Sequence, residues 1–138
     1  FIKNNNQYRI APVYDNGSCL YPKLNTDAKI AEVLDSEVEI DRRIYQFPTS
    51  HIKIGNRKSS YSEVIRSMQF EACNQALKRI VPRIDMDSIG CMIDGIEGIS
   101  ELRKDFYKTM LQQRFEKILL STYQRLQREE AEDCEHKR

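Results

Sequence analysis

The residues of this chain best placed to carry chemistry lie in YRIAPVYDNGS, residues 8 to 18. An apolar run closes on a single acid, Asp15, and Asn16-Gly17 follows at once. Asn-Gly adopts tight-turn conformers, so the carboxylate stands where a strand gives way to a loop. Two roles are open to it. Asp15 is either an ordinary turn residue or an oxygen ligand for a magnesium ion bridging nucleotide phosphates, a task that needs one or two carboxylates plus substrate oxygens. In the second case Gly17 would let the backbone approach the ligand closely. Ser18 reads as a turn hydroxyl, with a phosphosite as the alternative. Composition does not separate these readings.

Other residue clusters say less. Arg42, Arg43, His51, Lys53, Arg57 and Lys58 make the stretch 42 to 58 locally basic, with no acid after Asp41. It reads as a solvated loop, the alternative being a contact for an acidic peptide or a phosphate. Cys19, Cys73, Cys91 and Cys134 form no C-x-x-C pair, and His51 and His136 are the only imidazoles. No zinc site or disulfide framework is expected, and Cys73 and Cys91 read as reduced thiols buried in helices. No pattern suggests a nucleophile with its base, a Gly-rich phosphate loop or a metal-binding His cluster.

Something must hold Asp15 in place, and the length allows it: 138 residues suit one domain with its own core. Twenty-two basic and 21 acidic side chains leave a formal charge of +1, so no global field steers a polyanion and direct nucleic-acid binding is not expected. The 40% hydrophobic and 31% charged composition is that of a folded globular chain. No apolar run approaches the roughly 20 residues needed to span a bilayer. The chain opens on Phe1-Ile2 with no basic-then-apolar leader, which reads as the interior of a longer, cytoplasmic protein.

The elements follow from periodicity. Phe1-Ile2 and Tyr8 to Tyr14 read as two strands of a hairpin around an Asn-rich turn, and Pro12 confines the second strand to an edge. A short helix carries Ile30, Val33 and Leu34 behind Thr26 or Asn25 as cap. Residues 36 to 46 are too weakly patterned to assign, and Ile52-Lys53-Ile54 before Gly55-Asn56 suggests a second small hairpin. Ser60 and Glu63 match a capping box ahead of a long helix that should end at Pro82. Asp85 or Asp87 caps a shorter helix closed near Gly95, and Ser100 opens the longest, running to about residue 128. The expected fold is mainly α, an N-terminal β-hairpin followed by four to five helices. Residues 1 to 138 form one domain, with the hairpin and strand end at 1–23, a loop and short helices at 24–59, the helical core at 60–130 and a frayed tail at 131–138.

The string FIKNNNQYRIAPVYDNGSCLYP resembles the segment that follows the catalytic loop in HipA-like serine/threonine kinases. There a hairpin leads into a strand ending in A-P-x-Y-D with a small-residue loop behind it. Ala11, Pro12, Tyr14, Asp15 and Ser18 stand at the matching positions, and Tyr45 to Ser50 with the helix after Tyr61-Ser62-Glu63 looks like the helical C-terminal lobe of the same family. The resemblance implies that the Tyr14-Asp15 pair replaces the Asp-Phe-Gly motif of ordinary protein kinases, with Asp15 holding magnesium at the ATP phosphates and Asn16, Gly17 and Ser18 facing a protein substrate. It implies ATP and magnesium as cofactors of the full-length parent and none bound to the 138 residues alone. The catalytic aspartate is expected upstream of Phe1, so phosphoryl transfer by this part by itself is not expected. A bacterial toxin whose helical lobe docks a DNA-binding antitoxin is a further implication. The competing reading is a non-catalytic helical protein-interaction domain in which Asp15 is only a turn.

Overall fold

The computed structural model describes residues 2–4, 7–9, 20–21, 23–47 and 52–136. At the N-terminus β1 (Ile2–Asn4) pairs antiparallel with β2 (Gln7–Arg9), Lys3 opposite Tyr8, so the hairpin expected there forms, with Asn4 and Gln7 of the expected turn paired in its strands.

Thr26 starts α1 (Asp27–Leu34), its side-chain oxygen accepting from the Lys29 amide at 3.4 Å, and Ile30 and Val33 fall on its buried face. Residues 36 to 46, which periodicity could not assign, form α2 (Glu37–Tyr45). The reason is electrostatic. Ser36 accepts from the Glu39 amide, Glu37 and Glu39 occupy the first turn, and Arg42 and Arg43 occupy the last, an order that suits the helix dipole. Only Ile44 is buried while Val38 is 76% exposed, which is why the apolar pattern is faint. Arg42 and Arg43 are therefore helical residues and not part of a solvated loop. The second hairpin joins β3 (Lys53–Ile54) to β4 (Arg57–Lys58) through Gly55 at φ 60°, a left-handed conformation that glycine adopts without strain.

The helix expected over residues 60 to 80 is broken in two. Ser60 caps α3 (Tyr61–Arg66), which stops at Ser67, and α4 (Glu71–Ile80) begins after Phe70. Local side chains take over the backbone groups at the break. The Ser67 hydroxyl donates to the Val64 carbonyl and accepts from the Gln69 amide, and Asn74 Nδ2 donates to the Met68 carbonyl at 2.8 Å, with Met68 at φ 54°. A 3₁₀ turn (Val81–Arg83) absorbs Pro82. Asp85 then caps α5 (Met86–Asp94) through the amides of Asp87 and Ser88, and Gly95 closes it.

Ser100 opens α6 (Glu101–Arg114), which continues through a π turn (Phe115–Leu120) into α7 (Ser121–His136). The rod thus extends past residue 128, and the tail expected to fray is helical to His136. Thr122, 1% exposed, donates its hydroxyl to the Ile118 carbonyl at 2.6 Å beside the π turn. With α6, the π turn and α7 taken as one rod, the described residues hold six rods against the four or five expected. The surplus comes from α2 and from the break at Met68.

Two cores flank this rod. Ile30 and Val33 pack on Phe106 and Met110, joined by Leu20, Tyr21 and Leu24. Leu77, Val81 and Leu126 form the other, with Met68 and Phe115 at its edge. Neither cysteine expected inside is buried: Cys73 is half-buried and Cys91 exposed. Among the described residues no helix is long and apolar enough to cross a membrane.

Candidate functional site

Tyr14, Asp15, Asn16, Gly17 and Ser18 lie outside the described residues. What the structure does show is the anchorage of the chain just after them. Leu20 and Tyr21 pack against Phe106, the ring of Tyr21 meeting that of Phe106 edge to face with centroids 6.1 Å apart. Tyr21 sits at φ 57°, a conformation unfavourable for a bulky residue. It is followed by a turn in which the Leu24 amide donates to the Tyr21 carbonyl at 2.9 Å.

The Tyr21 hydroxyl ties its own segment to the C-terminal end of α2 and to α6. It donates to the Arg43 carbonyl at 2.6 Å, with the Phe47 carbonyl 3.2 Å away, and it accepts from Arg114 Nη2 at 3.2 Å. Arg43 belongs to the last turn of α2, whose carbonyls have few partners within the helix, so the phenol satisfies a group that the helix itself leaves over. The guanidinium groups of Arg43 and Arg114 also approach the Tyr21 ring, 5.8 and 5.6 Å from its centroid. Burial pushes the phenol pKa up, against the opposing pull of Arg114 and Arg43, so at neutral pH the hydroxyl keeps its proton and can donate.

Further fastenings hold the same segment. Arg103 Nη2 donates to the Leu24 carbonyl at 2.6 Å, and the Ser100 hydroxyl donates to Asp27 Oδ1 at 2.9 Å, both from the start of α6. Beside Tyr21 a notch of about 220 Å³ is lined by Tyr21, Arg42, Arg43 and Phe47. Both arginines pair with Glu39, whose carboxyl Arg43 holds below the usual range, and Arg42 stacks over Phe47. A second cavity of about 230 Å³ lies beyond Phe47, between Tyr45, Tyr61 and Arg114. Of the basic stretch read from the sequence, Arg42 and Arg43 meet at this notch, whereas Arg57 pairs with Glu63 and ties the second hairpin to α3.

Among the described residues no group of three or more His, Cys, Asp or Glu could hold a metal ion. Magnesium does not need such a group: it prefers oxygen ligands, keeps several waters, and is commonly held by one or two carboxylates with substrate phosphates. Asp15, the carboxylate read from the sequence for that role, lies outside the described residues. Arg114 is the site residue that sequence reasoning missed. It stands inside a continuous helix 93 positions from Tyr21, and nothing in its local pattern distinguishes it from a solvated arginine.

No family model matches the chain. Over 117 residues, however, it is 42% identical to the serine/threonine-protein kinase CtkA of Helicobacter pylori. The chain is a homologue of CtkA. The match covers 84% of the chain and 36% of that relative. The crystal structure of the H. pylori proinflammatory kinase CtkA aligns with a TM-score of 0.77 at 40% identity, covering 88% of this chain and 43% of that one. The chain therefore spans well under half the length of CtkA. Kinship with the HipA-like kinases, first suggested by residues 1 to 22, is supported by identity over most of the chain, and the mainly α fold with its small hairpin agrees with a kinase structure.

Proposed function

We propose that this chain is part of an ATP-dependent serine/threonine protein kinase and contributes to it the helical lobe and one magnesium-binding carboxylate, Asp15. The observation that carries this reading is the 42% identity to CtkA, spread over 84% of the chain and accompanied by a TM-score of 0.77 to a solved CtkA structure. Magnesium, when bound, neutralises phosphate charge and holds the γ-phosphoryl group for in-line transfer.

The chain's own residues do the positioning. Asp15 would supply an oxygen ligand at the end of its strand, and Asn16 to Ser18 would turn the backbone toward the protein substrate. Leu20, Tyr21 and Leu24 tie the returning chain to the core around Phe106. The base that accepts the substrate hydroxyl proton, and the groups that clamp the triphosphate, would come from the rest of the parent kinase. Phosphoryl transfer depends almost entirely on such positioning and electrostatics, so the 138 residues alone should not transfer phosphate.

The test is transfer of labelled phosphate from ATP to the kinase itself or to a protein substrate by the full-length parent. Asp15→Asn should reduce the rate by at least about 100-fold, the scale on which lost transition-state electrostatics act, with the melting temperature unchanged. Undiminished transfer by a folded Asp15→Asn protein would remove the metal role. The reading of the chain as a helical interaction module predicts the same silence at Asp15 and no phosphate transfer by the wild-type parent.

A further inference from the structure

We infer that the groove between α5 and α6 is a docking surface for a basic amphipathic helix of a partner protein. The inference is independent of the kinase reading. Met86, Ile89, Gly90 and Ile93 recur along α5 at the i, i+3, i+4, i+7 spacing of one helical face, and that face is one wall of a cavity of about 330 Å³. Lys108, Thr109, Gln112 and Gln113 of α6 line the other wall. Ile93 alone of the four α5 residues is fully buried, and the apolar surface runs on outside the groove through Met92, 71% exposed, and Ile96, 41% exposed. Gly90 stands inside this stripe. A glycine within a helix weakens it relative to alanine, and crowding does not demand one here, since a Cβ built at Gly90 would meet nothing within 4 Å. The missing side chain leaves the groove open to an occupant that approaches the α5 backbone closely.

Charge identifies the occupant. Asp85, Asp87, Asp94, Glu97 and Glu101 are all exposed, and no lysine, arginine or histidine occurs between Arg83 and Arg103. Lys108 on the facing wall is held by Asp94 at 2.9 Å and Asp105 at 3.2 Å, and Lys104 pairs with Glu101, so these lysines do not reverse the sign of the border. An apolar stripe with an acidic border complements a helix whose apolar side chains are flanked by lysine or arginine. Met86 to Ile93 spans about 10 Å, two helical turns, which is room for two anchoring side chains. The same border opposes other occupants. Two α5 faces brought together would set acid against acid, and the phosphates of anionic lipids or nucleic acids would be repelled.

The test uses the full-length parent and a fluorescent helical peptide of about 14 residues built from leucine, alanine and lysine, with leucines at i, i+3, i+4 and i+7 and lysines beside them. Fluorescence anisotropy should show this peptide binding at least about tenfold more tightly than the same peptide with glutamate in place of lysine, and less tightly as salt is raised. Methyl resonances of Met86 and Met92 should shift on binding, while that of Met68, at the break between α3 and α4, stays in place. Gly90→Leu fills the groove with a better helix former, so it should weaken binding at least about tenfold without lowering the melting temperature. Equal affinity for the two peptides, no measurable binding of either, methyl shifts at Met68 in place of Met86 and Met92, or undiminished binding by a folded Gly90→Leu protein would overturn the inference. Should Gly90→Leu not fold, Gly90→Ala adds a single methyl group in open space; it should raise the melting temperature and weaken the basic peptide about threefold, and wild-type affinity in that more stable variant would overturn the inference.

Discussion

Tyr21 shows at single-residue scale how burial and hydrogen bonding combine. Its pKa is raised chiefly by burial, so the unfolded chain releases the phenolic proton more readily than the folded one. The sign follows from linkage: the stabilisation is full below the ordinary value of 10.0 and is lost as pH climbs through the higher folded value. Thermal melts of the wild type should therefore fall above pH 10.0, and part of that fall should be missing in Tyr21→Phe. Identical alkaline limbs for the two proteins would contradict the burial argument. Little of this was legible in the sequence. Nothing local distinguishes Tyr21, because its partners stand 22, 26 and 93 positions away and only the folded chain brings them together. Asp15, an acid closing an apolar run before Asn-Gly, lies outside the described residues, and the same letters spell an ordinary turn as readily as a metal ligand.

At the scale of elements, caps were easier to read than interruptions. Thr26, Ser60, Asp85 and Ser100 all accept hydrogen bonds where a helix begins, because an N-cap is a local device of a few adjacent residues. The break at Met68 was not visible, since apolar residues continue at helical spacing straight through it and the feature that stabilises the break is a contact six residues long, Asn74 to the Met68 carbonyl. Asn74 is 7% exposed, and its Oδ1 has no partner. Asn74→Ala should cost about 1–3 kcal/mol in denaturant unfolding by leaving the partly buried Met68 carbonyl without its donor. A loss below about 0.5 kcal/mol would mean that the left-handed turn holds itself. α2 was missed for the opposite reason: its capping and charge order favour a helix while Ile44 alone among its residues is fully buried.

At the scale of the molecule, the long rod carries both cores, and the half of it that faces α1 also packs against Leu20, Tyr21 and Leu24. Phe106 and Met110 are both 0% exposed at that contact. Phe106→Ala should lower stability by about 3–5 kcal/mol and, by removing the ring on which Tyr21 leans, loosen the candidate site as well. Hydrogen exchange should show that loosening at Leu20 to Leu24 before it appears around Leu126, in the other core. Simultaneous loss of protection in both regions would mean that the two cores unfold as one unit. The mainly α class was legible from periodicity, whereas the division into two cores depends on which faces of the rod meet α1 and α4.

The central claim is that Asp15 ligates the magnesium ion of a protein kinase. The most direct measurement is a crystal structure of the full-length parent with an ATP analogue and manganese, the metal located by its anomalous scattering. The account predicts a manganese peak at bonding distance from an Asp15 carboxylate oxygen and from phosphate oxygens of the nucleotide. A peak coordinated entirely by other residues, with Asp15 turned away, would contradict it.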